Sequence, residues 1–202
     1  MKALIGGVLV AGVLAATAPW WGEAYCGALL PLVEEVLRVG VPGWQSVTAH
    51  LLTADGQGVV LARFASAAGF DYRGVAVPPG TWVEARTLQG YWLQHPVLVI
   101  GVWAAWPQPT AAARLGAAAL LPVALLALAV TDLPLTLYGA LTDTMLAATG
   151  SGQPESSWAV QAMQVLDGGG RGVLGLVAGA AVAAGGGVLA RRGAVPAPDD
   201  GP

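Results

Sequence analysis

Apolar residues in this chain are gathered into four long runs separated by polar segments. The runs cover residues 3–21, 91–106, the stretch that begins at Leu115, and 172–190. A helix needs about 20 predominantly apolar residues to cross a bilayer, and the second run reaches that length when Leu88 and Gly90 are included. The pattern predicts a membrane α-helical bundle of four transmembrane helices with a small extracytoplasmic antiparallel β insert.

These runs define the segments of the chain. The expected transmembrane helices are 1–21, 89–107, 115–138 and 172–190, and the expected external segments are 22–88 and 139–171. Residues 108–114 form the expected cytoplasmic loop, and residues 191–202 form a disordered cytoplasmic tail. The first run also fits a cleaved signal peptide, because "ATA" before Pro19 resembles a small-residue cleavage site. Proline directly after such a site disfavours cleavage, which favours a retained span.

The first external segment combines helical and strand periodicity. Apolar residues at helical spacing between Leu29 and Leu37 indicate an amphipathic helix that ends at Pro42 and Gly43. Alternating residues on both sides of "ADGQG" predict a β-hairpin. The segments "YRGVAV" and "TWVEARTL" flank "PPG" as a second strand pair, so we expect a sheet of three or four strands.

The second external segment contains a loop, a short helix and a glycine cluster. We expect "TGSGQPESS" to be a flexible loop and "PESSWAVQAMQVL" to form a short helix capped by a serine. The spacing of "DGGGRG" matches neither the phosphate-binding loop nor the dinucleotide fingerprint. These glycines therefore predict a helix break before the last span.

Charge indicates the orientation and excludes one class of partner. Only 10% of the residues are charged, against about a quarter in soluble domains, and the net charge is −3. Since no basic cluster lies beside aromatic residues, nucleic acid is not an expected partner. Lys2, Arg114, Arg191 and Arg192 flank span ends on one side, which predicts cytoplasmic N and C termini. Arg171 is among the arginines then placed outside.

His95 and Asp132 form the one titratable pair expected near span ends on the same side, where the two residues could meet. A carboxylate inside a membrane is a functional hypothesis by default. Because both residues fall near the headgroups, an interfacial structural pair or separately solvated groups are favoured over a catalytic or proton-handling pair. Cys26 is a third candidate, and its surroundings in "YCGALL" favour a small buried side chain over a reactive thiol.

The remaining patterns assign no cofactor, no metal and no further catalytic residue. Neither "GxSxG" nor "HExxH" occurs, and two isolated histidines with one cysteine do not form a ligand cluster. Small residues at Gly12 and Ala16, and at Gly175 and Gly179, favour close helix contacts within the bundle or in a homo-oligomer. The bilayer itself is the expected environment of the spans.

The layout resembles that of the small membrane proteins associated with exosortases, a bacterial envelope system that handles proteins with a C-terminal sorting segment. The shared order is an N-terminal span, an external β insert, an "HP" entry into the second span, a third span containing proline, and a final span. The resemblance implies an accessory role in envelope protein sorting or polysaccharide export at the bacterial inner membrane, with a membrane or periplasmic protein partner and no catalytic residues.

The chain departs from the exosortases themselves, which use cysteine, arginine and histidine in catalysis. Cys26 lacks the expected following serine, and no span carries a paired arginine motif. We therefore expect a non-catalytic accessory or scaffold protein. The alternative is a membrane-embedded enzyme or proton-handling protein that uses His95 and Asp132, with Cys26 as a further candidate.

Overall fold

The structure is a computed structural model that describes residues 2–41, 43–72, 74–149 and 157–193. The last two of its α-helices are joined by Leu166–Gly170, a turn with π-type hydrogen-bond spacing and a kink at Gly169, which we call the π-helical turn. The α-helices are α1 Lys2–Gly40, α2 Gln89–Ala105, α3 Ala111–Thr149, α4 Trp158–Val165 and α5 Arg171–Gly193. The strands are β1 Trp44–Ala54, β2 Gln57–Ser66, β3 Phe70–Tyr72, β4 Val75–Val77 and β5 Trp82–Leu88.

Three helical segments of the described chain are long and apolar enough to cross a membrane. They are Ala3–Gly40, Ala111–Ala148 and Trp158–Ala190, the last of which runs through α4 and α5. The helical bundle with a small antiparallel sheet is confirmed, but with three such helices where four were expected. The expected span at 89–107 is α2, a helix of 17 residues. At about 1.5 Å per residue it is roughly 25 Å long, slightly less than a hydrocarbon core.

Helix α1 continues where the sequence predicted a break near residue 21. It keeps Pro19 and Pro31 inside a single helix of 39 residues. An internal proline removes one backbone hydrogen bond, but burial of side chains on both sides of it can offset that loss. In the outer half Cys26, Val33 and Leu37 are buried at 0–1% exposure. Packing therefore outweighs the local preference for a break.

Helix α3 behaves in the same way. It passes through Pro122 and Pro134 without ending and runs beyond the expected end at residue 138 to Thr149. At about 1.5 Å per residue, a helix of this length spans roughly 58 Å, nearly twice the thickness of a hydrocarbon core. The outer parts of α1 and α3 thus extend past the bundle and lie beside the sheet. We call this end of the bundle the sheet end.

The three-stranded sheet has the order β1-β2-β5. Its first hairpin is confirmed, because Asp55 and Gly56 both have the positive φ angles, 52° and 75°, that a tight Asp-Gly turn requires. The predicted pairing of the strands around "PPG" is wrong: β5 pairs with β2, and β3 pairs with β4 in a separate two-stranded sheet. Pairing with β2 places Ala85 opposite Ala62, and both are buried. This arrangement extends the apolar face of the sheet, which the short strand β4 would not do.

The inner face of the sheet packs on the outer halves of α1 and α3. Val47, Val60 and Phe64 from the strands share one apolar core with Leu37 and Leu137 from the two helices. A sheet this small buries little on its own, so the helices supply most of its core. The backbone N–H of Ala49 also donates to Glu34 Oε1 of α1 at 2.6 Å. That bond occupies an amide of β1, which is an edge strand.

Small residues allow the helices of the bundle to approach closely. A Cβ on Gly101 of α2 would lie 2.9 Å from Ala11 Cβ of α1. The expected contacts at Gly175 and Gly179 are confirmed, since Cβ atoms there would lie 3.0 and 2.7 Å from Leu98 and Val102 Cβ of α2. Gly12 has nothing within 4 Å of an added Cβ, so it makes no such contact within the bundle. Helix α2 therefore lies between α1 and α5.

The short helix in the second external segment is confirmed as α4. Its N-cap is Ser157, which makes no side-chain cap hydrogen bond. The predicted glycine break is the π-helical turn, where Gly169 has a φ of 115°. Most of the predicted loop "TGSGQPESS" lies outside the described residues, as does the predicted tail beyond residue 193.

Candidate functional site

Four polar side chains from three helices meet at the sheet end of the bundle. They are His95 of α2, Asp132 and Thr136 of α3, and Arg171 of α5, with exposures of 0, 2, 3 and 3%. Asp132 and Thr136 share a face of α3 because they are one turn apart. The π-helical turn brings Arg171, the first residue of α5, against that face. We call these four residues the polar cluster.

Asp132 is at the centre of the polar cluster. Arg171 Nε lies 3.0 Å from its Oδ1 and 2.9 Å from its Oδ2, and His95 Nε2 lies 2.9 Å from Oδ2. The Thr136 hydroxyl donates to Oδ1 at 3.2 Å. Oδ1 therefore accepts hydrogen bonds from α5 and from α3 itself, and Oδ2 accepts them from α5 and α2.

Arg171 is surrounded as completely as Asp132. Its Nη2 donates to the Thr136 hydroxyl oxygen at 2.6 Å, and its Nη1 contacts Asp167 Oδ1, one turn earlier in the chain. The Arg171 Cζ atom lies 5.0 Å from the centroid of the Tyr91 ring, within cation–π range. Every nitrogen of the guanidinium thus has a partner, and the ring contacts it as well.

The charges of the polar cluster compensate each other. The Arg171 cation and the Asp132 anion are buried together, which removes the large penalty of burying either one alone. Asp167 adds a second carboxylate on a side chain that is 42% exposed. Since an ionised carboxylate only accepts hydrogen bonds, His95 donates from Nε2. Its Nδ1 is buried without a hydrogen-bond partner in the described part of the chain.

The sequence indicated that His95 and Asp132 could meet, and the two side chains are in contact in the structure. Of the two favoured alternatives, separately solvated groups are contradicted, because His95 and Asp132 are buried and in contact, whereas a structural pair agrees with this geometry. Sequence reasoning also missed Arg171. Two features of the sequence pointed to Arg171. It lies at the start of an apolar helix, four residues after Asp167, and the preceding span contains a single carboxylate, Asp132, with which it could pair.

Cys26 does not join the polar cluster. It is fully buried in the apolar core beneath the sheet, together with Val33 and Trp92. His50 lies on the opposite, outer face of the sheet, where it is exposed. Among the residues that the structure describes, no group of three histidine, cysteine or acidic side chains could hold a metal ion.

Burial predicts that the Cys26 thiol is unreactive in the folded protein. A membrane-impermeant maleimide should leave it unlabelled in mild detergent and label it fully after unfolding in dodecyl sulfate. A Gln45→Cys, Cys26→Ala variant provides the control, because Gln45 is exposed on β1 and should react under both conditions. Labelling of native Cys26 as fast as that of the control would contradict its burial.

Comparison of the chain with protein-family models, curated protein sequences and solved structures gives no match. The fold and the site define a helical bundle that carries a small sheet at one end and encloses a buried ion pair. The function is therefore argued from this geometry.

Proposed function

We propose that the protein is a non-catalytic integral membrane scaffold of the bacterial cell envelope, which presents its sheet to a protein partner outside the inner membrane. The observation that carries this proposal is the continuity of α1 and α3. Each runs as one 39-residue helix from the bundle into the core of the sheet. The sheet is therefore a rigid extension of the bundle.

In this proposal α2 is the fourth span. It packs between α1 and α5, so protein covers much of its surface and its 17 residues need not cross the bilayer alone. Four spans place both termini on one side of the membrane. Arg114, close to the start of α3, marks that side as cytoplasmic together with Lys2, Arg191 and Arg192. The sheet end then faces the periplasm.

The polar cluster has a structural role, which is to hold α2, α3 and α5 together. Its side chains are at most 3% exposed, so Asp132 and Arg171 offer a substrate almost no accessible surface. The hydrogen-bonding groups of Asp132 and Arg171 are already occupied within the protein. A closed arrangement of this kind favours positioning of helices over catalysis.

The outer face of the sheet is the surface proposed for the partner. Arg63 and Arg86 contact Glu84 at 3.0 and 2.7 Å. Their hydrogen bonds, of which that from Arg86 has the larger effect, hold the pKa of the Glu84 carboxyl below its usual value. Trp82 lies on the same face and is 51% exposed. Arginine and tryptophan are enriched among the residues that dominate binding energy at interfaces.

The layout resemblance makes exosortase-type sorting or polysaccharide export the proposed setting for that partner. The resemblance to exosortase-associated proteins rests on the order of segments, with no support from the comparisons. The identity of the partner tests it directly. A partner with no role in sorting or export would leave the scaffold proposal in place and remove this setting.

Affinity purification in mild detergent tests the scaffold. We expect the native protein to retain a membrane or periplasmic protein, and a Trp82→Ala, Arg86→Glu variant to lose that same protein because both side chains lie on the outer face. Arg38→Glu is the matched control, since Arg38 is similarly exposed but lies at the end of α1. A native chain that purifies alone and monodisperse would contradict the proposal.

A proton-handling role for His95 and Asp132 is the second candidate function. It is favoured by the buried Nδ1 of His95, which has no hydrogen-bond partner among the described residues, and by the half-exposed Asp167, which contacts Arg171. Asp132→Asn separates the two functions. If the pair handles protons, this variant should be stable but without function. If the polar cluster has a structural role, the variant should be less stable than the native protein.

A further inference from the structure

A groove runs along the outer surface of α1 and α2, from the β1–β2 hairpin towards the middle of the bundle. Its upper part is a cavity of about 590 Å³ bounded by α1, the hairpin and the first turn of α2. Its lower part, about 410 Å³, continues between the same helices to Val97 and Leu98. The two cavities share Ala15, Ala18, Gly90 and Leu93, so they form one feature, which we call the α1–α2 groove.

The chemistry of the α1–α2 groove changes along its length. The upper part carries four polar residues, Glu23, Thr53, Gln57 and Gln89, among alanine, proline, leucine and glycine residues. The lower part is lined by alanine, glycine, leucine and valine, with Gln94 as its polar residue. From Gly90 to Leu98 the groove descends about 12 Å at about 1.5 Å per residue. An upper end of mixed polarity that carries a carboxylate, above a lower end that is almost entirely apolar, suits an amphiphile that lies along the helix axes.

The upper end favours a positively charged group. Glu23 is exposed and makes no ion pair within the described residues. No lysine or arginine lines either cavity, so nothing there would neutralise a purely anionic headgroup. An ammonium group that donates to the Glu23 carboxylate would form a charge-assisted hydrogen bond.

Gln89 and Gly90 shape the groove. A Cβ added to Gly58 of the hairpin would overlap the Gln89 amide, so the Gln89 side chain lies tightly against the hairpin. Gly90, the next residue, is exposed and has nothing within 4 Å of an added Cβ, although it lines both cavities. The absence of a side chain at Gly90 keeps the two parts of the groove connected.

We propose that the α1–α2 groove binds a membrane phospholipid whose headgroup carries a primary amine, with the ammonium at Glu23 and one acyl chain along α2. The inference rests on the proposed placement of the bundle in a membrane, because the lower end must face lipid for an acyl chain to enter. Phosphatidylethanolamine is the simplest lipid with this chemistry.

Native mass spectrometry of the full chain in mild detergent provides the test, after delipidation and addition of one lipid at a time. Phosphatidylethanolamine should be retained at least about tenfold better than phosphatidylglycerol or phosphatidylcholine of the same acyl composition, a ratio that corresponds to about 1.4 kcal/mol. Glu23→Gln should abolish this preference. Equal retention of the three lipids by the native chain would overturn the proposal.

A second pair of variants tests the position of the site. Gly90→Leu should remove the preference, because it adds a side chain where the two cavities meet and its Cβ would have no atom within 4 Å. Gly12→Leu should keep the preference, because Gly12 is equally open but lies outside the groove. Unchanged preference in Gly90→Leu would overturn the assignment. Failure of the native chain to retain any lipid would contradict the membrane placement as well, which distinguishes that outcome from an error in the groove alone.

Discussion

Replacing Arg171 by leucine should lower the free energy of unfolding by about 3–5 kcal/mol, because it leaves the Asp132 carboxylate buried without its cationic partner. Circular dichroism during thermal unfolding in mild detergent measures this loss. Arg63→Leu is the matched control. It removes an arginine–carboxylate contact of similar length, 3.0 Å, from the exposed face of the sheet and should leave the unfolding midpoint close to the native value.

A neutral pair at the same positions separates charge from shape. Asp132→Asn combined with Arg171→Gln keeps hydrogen-bonding groups on both helices but buries no charge. This double variant should be more stable than either single variant, since a buried charge without a partner costs more than a neutral pair. If Arg171→Leu unfolds at the native midpoint, the polar cluster does not hold the helices together. An Asp132→Asn variant that is as stable as the native protein but has lost its function would favour proton handling.

Substitution of Gly186 by alanine should destabilise the bundle by about 1–3 kcal/mol or more through overpacking. An added Cβ at this position would lie 2.5 Å from Ala117 Cβ and 2.6 Å from the Ala117 backbone nitrogen. Because one of those atoms belongs to the backbone, α3 itself would have to move away from α5. The same thermal unfolding measurement reports the effect.

The next residue in the chain provides the control for this experiment. Gly187 has nothing within 4 Å of an added Cβ, so Gly187→Ala should be neutral or should stabilise α5 by up to about 1 kcal/mol through its higher helix propensity. Equal unfolding midpoints for the two alanine variants would contradict the close contact between α3 and α5.

Local patterns in the sequence predicted the features that depend on neighbouring residues. The Asp55-Gly56 turn, the short helix α4 and the glycine break before α5 all follow from backbone preferences that act over a few residues. The long apolar helices follow from hydropathy for the same reason.

Features decided by packing between distant segments were not predictable in this way. Proline suggested that α1 would end near residue 21, but contacts with the sheet maintain the helix to Gly40. The pairing of β5 with β2 depends on matching buried faces, not on proximity in the chain. Arg171 reaches Asp132 across 39 positions, and no local pattern encodes that contact.

The continuous helices also set a distance. If about 30 Å of each 39-residue helix lies in the hydrocarbon core, about 28 Å projects beyond it, and both projections end in the core of the sheet. Two stiff supports, unlike one flexible linker, restrict both swivelling and approach to the lipid surface. A protein docked on the outer face would therefore be held at a defined height and angle above the bilayer.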